Sequence, residues 1–281
     1  MSTIFRAAVP QPASTSELGP LENLPGTWMG TGFSLAELPD HEGGSPFFLR
    51  LNATQETLTF TEIGAPILNR GNLQDDIVFR GVHYLQQIAD AQTGEALHVE
   101  NGMWLYVPAT SVPPSGPTLV RMADIPHGDS FMAQGAPVAD VPGAPEIPPL
   151  DSTPNGSVFG DGYFPPPGTE LPPGIPDEAL RDPAVLLRRA LKEQTVLNTT
   201  TLDVRTGPDD VRNIGFVVEN ANATSVRAAL WIETVRRPDG TETLQLQYSQ
   251  HSILRFPAGP RPDPAKQIDW PHIQVATLIK Q

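Results

Sequence analysis

The chain has 281 residues, 32 of them proline, no cysteine, and a formal net charge of -14. The lack of cysteine excludes disulfides, thiolate metal centres and cysteine nucleophiles. The acidic balance repels phosphate backbones and anionic lipid, so neither nucleic acid nor a membrane is an expected partner.

Residues 1–21 read as a flexible arm without the apolar run of a secretion signal. No stretch approaches the ~20 apolar residues that span a bilayer. The expected location is therefore cytoplasmic. Regular structure is predicted to begin near Leu24, where Gly26-Thr27-Trp28-Met29-Gly30-Thr31-Gly32-Phe33 interleaves β-formers with glycines. Glycine inside a strand permits sharp coiling and close backbone approach, as a barrel requires.

Further strands are predicted over 47–51, 56–63, 77–88, 96–107, 118–125 and 130–134. Each is a short β-forming run bounded by turn residues, the pattern of an antiparallel meander or barrel. Within 96–107, one face carries Leu97, Val99, Met103, Leu105 and Val107; the other carries His98, Glu100, Trp104 and Tyr106. A sheet wetted on one side alternates more cleanly. Mixed faces fit a barrel around a semi-polar pocket, with a plain sandwich core as the other option.

Residues 136–178 are rich in Pro, Gly, Asp and Ser and cannot bury a core of their own. They read as an excursion between strands, left open between a lid and a disordered insert. Phe159, Tyr163 and Phe164 are its candidate anchors. A helix is predicted over 182–193, with Asp182 as N-cap and Pro183 in its first turn. Strands resume at 195–204, 213–218, 225–235, 242–256 and 272–280, with a hairpin turn at Arg237-Pro238-Asp239-Gly240. The expected fold is all-β: one antiparallel, calycin- or lipocalin-like barrel of about ten strands over residues 22–281, a number suited to a cavity.

No Walker loop, dinucleotide fingerprint, nucleophile elbow or zinc-binding His-Glu-x-x-His helix is present. Six histidines remain as candidates: His41, His83, His98, His127, His251 and His272. His41 sits in a polar loop and His251 in a polar stretch, with nothing to distinguish either. His98 and Glu100 are two apart on one strand and so share a face, as an ordinary polar pair or as a functional His–carboxylate pair. His127 lies at a strand end, where barrels open. His272 starts the last strand beside Trp270 and Ile273 and is a candidate metal ligand over an apolar floor.

Four blocks in order resemble the nitrobindin-like family of haem-binding barrels related to fatty-acid-binding proteins. They are Leu24-Pro25-Gly26-Thr27-Trp28-Met29-Gly30-Thr31-Gly32, the run Leu58 to Leu68, Leu97-His98-Val99-Glu100-Asn101-Gly102, and Pro271-His272-Ile273-Gln274-Val275-Ala276-Thr277-Leu278. The match covers roughly 22–107 and 265–281; the Pro-rich excursion is a departure. The resemblance implies haem b, with His272 as axial ligand and Thr27, Trp28, His98, Glu100 and His127 around it. It implies an iron able to bind nitric oxide, isomerise peroxynitrite or act on peroxide. Two other functions are compatible with the residues: a haem-free carrier of a small apolar molecule, and an enzyme using His98 and Glu100 as acid and base. A homodimer is an assembly the reading allows.

Overall fold

The computed structural model describes residues 17–40, 45–155, 163–259, 263 and 266–281. Its strands are β1 (Gly26–Pro39), β2 (Phe47–Glu62), β3 (Ile67–Asn69), β4 (Ile77–Asp90), β5 (Ala96–Val107), β6 (Thr110–Ser111), β7 (Pro114–Ser115), β8 (Thr118–Ile125), β9 (Asp129–Pro142), β10 (Thr195–Asn213), β11 (Asn222–Arg236), β12 (Glu242–Pro257) and β13 (Gln267–Lys280). Two short helices are α1 (Val185–Leu191) and α2 (Gly215–Asn220). None is long and apolar enough to cross a membrane.

Ten long strands pair antiparallel in the order β2-β1-β13-β12-β11-β10-β9-β8-β5-β4, and a β2–β4 ladder from Thr54↔Asp90 to Glu62↔Val82 closes the ring. The fold is thus the antiparallel barrel expected. Short β3 pairs only with β4, and β6 with β7. Alternation along each strand decides what faces inward. On β5 the inward set is His98, Glu100, Gly102 and Trp104; on β13 it is His272, Gln274, Ala276 and Leu278.

One end of the barrel is filled. Trp28, Leu246, Ile232 and Leu278 pack there with Leu18, Leu21 and Leu24, all buried. The expected arm is therefore corrected: residues 17–21 form a plug, because burying Leu18 and Leu21 seals an otherwise wet end. Residues 1–16 lie outside the described residues, as does His41.

The Pro-rich excursion starts later than expected. β9 runs to Pro142, so 136–142 belong to a strand. Beyond it, Ile147, Ala179, Ala184 and Leu187 cover Phe33, Leu35, Trp231, Ile273 and Val275, the outward apolar residues of β1, β11 and β13. The chain then reaches the rim, where Asn155 bridges Asp269 and Phe164 joins Phe47, Phe256 and Trp270. Phe159 falls outside the described residues. The excursion coats the outer wall, which explains why those strands are apolar on both faces.

The helix is α1, shorter than the 182–193 expected. Asp182 does not cap it; its carboxylate accepts from the Leu150 amide at 2.9 Å and from the Arg188 guanidinium, tying the excursion to the helix. The strand expected at 213–218 is also corrected. β10 ends at Asn213 and the chain turns into α2, held by the Ile214 amide on the Gly128 carbonyl at 2.9 Å.

The glycines of β1 answer to strand proximity. A Cβ on Gly30 would lie 2.1 Å from the Thr277 carbonyl oxygen of β13. Gly30→Ala is expected to cost about 1–3 kcal/mol in urea unfolding, since backbone on both sides must shift.

Glu233, on the outer face of β11, is fully buried; Gln245 donates to its Oε2 at 2.6 Å, while Oε1 accepts no hydrogen bond among the described residues. Burial, opposed only by that hydrogen bond, pushes its carboxyl up to about 7. A raised carboxyl holds its proton in the fold but not in the unfolded chain. Its contribution is therefore complete below the unfolded value and is lost as pH climbs to about 7. Glu233→Gln is expected to flatten the fall in stability between pH 4.5 and 7, amounting to about 2–4 kcal/mol, in urea titrations across that range.

Candidate ligand-binding site

Above the filled end, a polar layer crosses the barrel. Glu100 of β5, fully buried, receives the Arg121 guanidinium of β8 at 2.5 Å, the Tyr84 hydroxyl of β4, and the Gln250 amide of β12 at 3.2 Å. Arg121 also donates to the Tyr84 hydroxyl at 3.0 Å, and its guanidinium lies 5.4–5.5 Å from the ring centres of Tyr84, Trp104 and Phe131. Burial alone would push the Glu100 carboxyl up. Arg121, His98 and Tyr84 outweigh it and hold the carboxyl well below the usual range. Burial also drives the Tyr84 phenol well above its ordinary value, so it stays a donor.

A second carboxylate, Glu56 of β2, sits across the layer. It accepts from the Tyr248 hydroxyl, the Gln274 amide and, at 2.8 Å, the Thr54 hydroxyl. Gln86 donates to Tyr248 at 2.7 Å. Among the described residues no cation pairs with Glu56, and burial pushes its carboxyl up despite those hydrogen bonds.

This layer is the floor of a cavity of about 440 Å³ in the other half of the barrel. Its walls carry Ile88, Ile125, Phe131, Val211, Val226 and Leu254. Val217 and Ala221, in and just after α2, line it from the mouth, so the helix stands at the entrance. The outer side of this segment is apolar and exposed, with Phe216 at 73%.

Three sequence-predicted residues meet at one edge. The rings of His98 and His127 are 5.7 Å apart, and the His98 Nε2 is 3.5 Å from Glu100 Oε2, outside hydrogen-bonding geometry. Asp129 joins them at the cavity, its Oδ1 accepting no hydrogen bond among the described residues. Burial and the neighbouring His98 lower His127; burial raises Asp129 against the pull of both histidines. Among the described residues, no cluster of three His, Cys, Asp or Glu is arranged to hold a metal.

His272 also lines the cavity, on the far side. Its Nε2 is 2.9 Å from the Glu37 carbonyl oxygen, which only accepts, so this nitrogen carries the proton. Burial pushes the ring down to about 4, partly offset by that bond, so the imidazole is neutral at neutral pH. Thr27 and Trp28 are not brought to the cavity. Thr27 pairs with Thr59 on the outer face; Trp28 is in the filled end, its indole donating to Leu24 O at 2.8 Å. His251 faces the outer wall, and His83 is exposed on β4.

Sequence reasoning missed Tyr84, Arg121, Tyr248, Glu56, Gln86 and Gln250. One signal was available: Arg121 alternates with Leu119 and Ala123, a cation on an apolar face.

No family model matches the chain, and no curated protein matches it. Among solved structures, Rv2717c from M. tuberculosis is similar with a TM-score of 0.45 and 17% identity, over 96% of this chain and 99% of that one.

Removing the cation from a buried pair leaves the partner charge uncompensated. Arg121→Met is expected to cost about 3–5 kcal/mol at pH 7, measured by urea unfolding. The loss shrinks in acid, where Glu100 takes up a proton.

Proposed function

We propose that the barrel binds one small, mostly apolar molecule that carries one or two hydrogen-bonding groups. The observation that carries this reading is the composition of the cavity. Apolar walls rise over a floor whose polar groups are largely satisfied, while His98 Nε2, 3.5 Å from Glu100, and Asp129 Oδ1 accept or donate no hydrogen bond among the described residues. Buried polar groups without partners are costly, and a ligand that completes them gains both affinity and orientation. The volume lies within the range of small-molecule sites. His127, lowered by burial and by His98, stands beside His98 and Asp129 and adds ring nitrogens that donate or accept.

Haem b is the competing occupant, and with it nitric oxide, peroxynitrite or peroxide chemistry. As placed, His272 does not offer a free Nε2; ligation through that nitrogen requires the ring to leave the Glu37 carbonyl. The floor of Glu, Gln and Tyr side chains is also unlike a dry apolar pocket. The residues present therefore fit haem less well than a compact polar-headed molecule.

One set of titrations tests both occupants. Anilinonaphthalene sulfonate is expected to brighten in the wild type, with affinity falling about tenfold or more in Ala36→Phe and Ser252→Phe, which fill the cavity. Equal binding to all three proteins places the probe elsewhere and removes the proposal. Haemin added to the wild type is expected to give no Soret band that His272→Ala abolishes; such a band favours haem instead.

A further inference from the structure

We propose that Met103, Met122 and Met132, on an outer row that begins at His83, form a surface site for a soft monovalent metal ion, Cu(I) above all. These side chains lie on the outer face of the barrel, on the opposite side of the wall from the ligand cavity. The strand registers put them in one row. His83 of β4 is directly opposite Met103 of β5, Met103 is opposite Met122 of β8, and Met122 is opposite Met132 of β9. All four line a groove of about 380 Å³. The whole chain has only five methionines, so three on successive partner positions are not explained by a methionine-rich composition.

Opposed residues on neighbouring antiparallel strands have Cβ atoms roughly 4.5–5.5 Å apart. A methionine side chain has three rotatable bonds, so sulfurs from adjacent positions can converge on one point. Thioethers are soft, uncharged donors that carry no proton, and they favour Cu(I) over hard divalent ions.

The row ends at an irregularity that marks the same place. The β9–β10 register shifts between Thr206↔Ala133 and Val211↔Phe131, so residues 207–210 bulge out opposite Met132. Bulges of this kind re-aim side chains and gather beside functional sites. Asp209, in the left-handed region at φ 65, and Asp210 both line the groove. Asp210 is already committed to the Gly207 amide at 2.8 Å. Asn101, Asp124 and Ser130 also line the groove, and Arg212 opposes the aspartates' charge, so the assignment to a soft ion rests on the three sulfurs.

The test uses Ag(I), which has the same charge and softness as Cu(I) without its redox chemistry. With methionine methyls carrying carbon-13, one equivalent of Ag(I) is expected to shift the Met103, Met122 and Met132 signals and leave Met29 unmoved. Met122→Leu, which keeps the volume, is expected to weaken Ag(I) binding about tenfold or more in calorimetry. Cu(I) held by the wild type under ascorbate is expected to be lost to bathocuproine disulfonate more readily from Met122→Leu. The proposal fails if Ag(I) leaves the three methyl signals in place. It also fails if Met122→Leu holds Ag(I) as tightly as the wild type. The methyl spectrum of the wild type decides the question even if the variant does not fold.

Discussion

The Glu100–Arg121 pair is the constraint on which the rest of the barrel turns. A ten-stranded ring is too wide for aliphatic side chains to fill along its whole length. The chain solves this in two halves. Below the pair, leucines and tryptophans close the interior; above it, the interior is open. An ion pair without water is stable only when its remaining hydrogen-bonding capacity is used. Tyr84, Gln250 and three aromatic rings around Arg121 provide that. The same groups fix side chains on β4, β5, β8, β9 and β12, so the layer also sets the spacing of five strands.

The outer wall obeys a different rule. Strands β1, β11 and β13 are apolar outside as well as inside, and the Pro-rich excursion is what keeps those outer residues from water. Proline suits this role: it costs little conformational entropy on ordering and needs no donor satisfied. Chain length beyond a bare barrel is thus spent on the wall rather than on a second core.

Much of the barrel was legible because alternation and glycine placement are local signals. The even face of 96–107 pairs His98 with Glu100 in sequence and in space, and the Gly30 spacing marks where β13 comes close. What was not legible depends on register or on tertiary context. Ile214 to Val218 has β-branched residues and reads as strand, yet the end of β10 at the mouth forces a turn into α2. Tyr84, Arg121 and Tyr248 come from three distant segments, and nothing local shows that they meet. The methionine row requires three registers at once. For His272, sequence located the strand and the face, but the direction of Nε2 depends on a carbonyl 235 residues away.

The two interior carboxylates also decide what the cavity can select. Glu100 is ionised but cancelled by Arg121 at contact distance. Glu56 has no cation beside it among the described residues, and burial biases it toward its neutral form, with Tyr248, Gln274 and Thr54 limiting the shift. His272 is neutral on one side, and His127 is pushed toward neutrality on the other. On the proposed reading, a molecule entering past α2 meets shape and directed hydrogen bonds. Discrimination then falls to whether it can satisfy His98 and Asp129 while keeping its apolar surface against Ile88, Phe131 and Val226. A site of this kind, on the proposed reading, tolerates variation in the apolar body, because only the polar contacts are geometrically exacting.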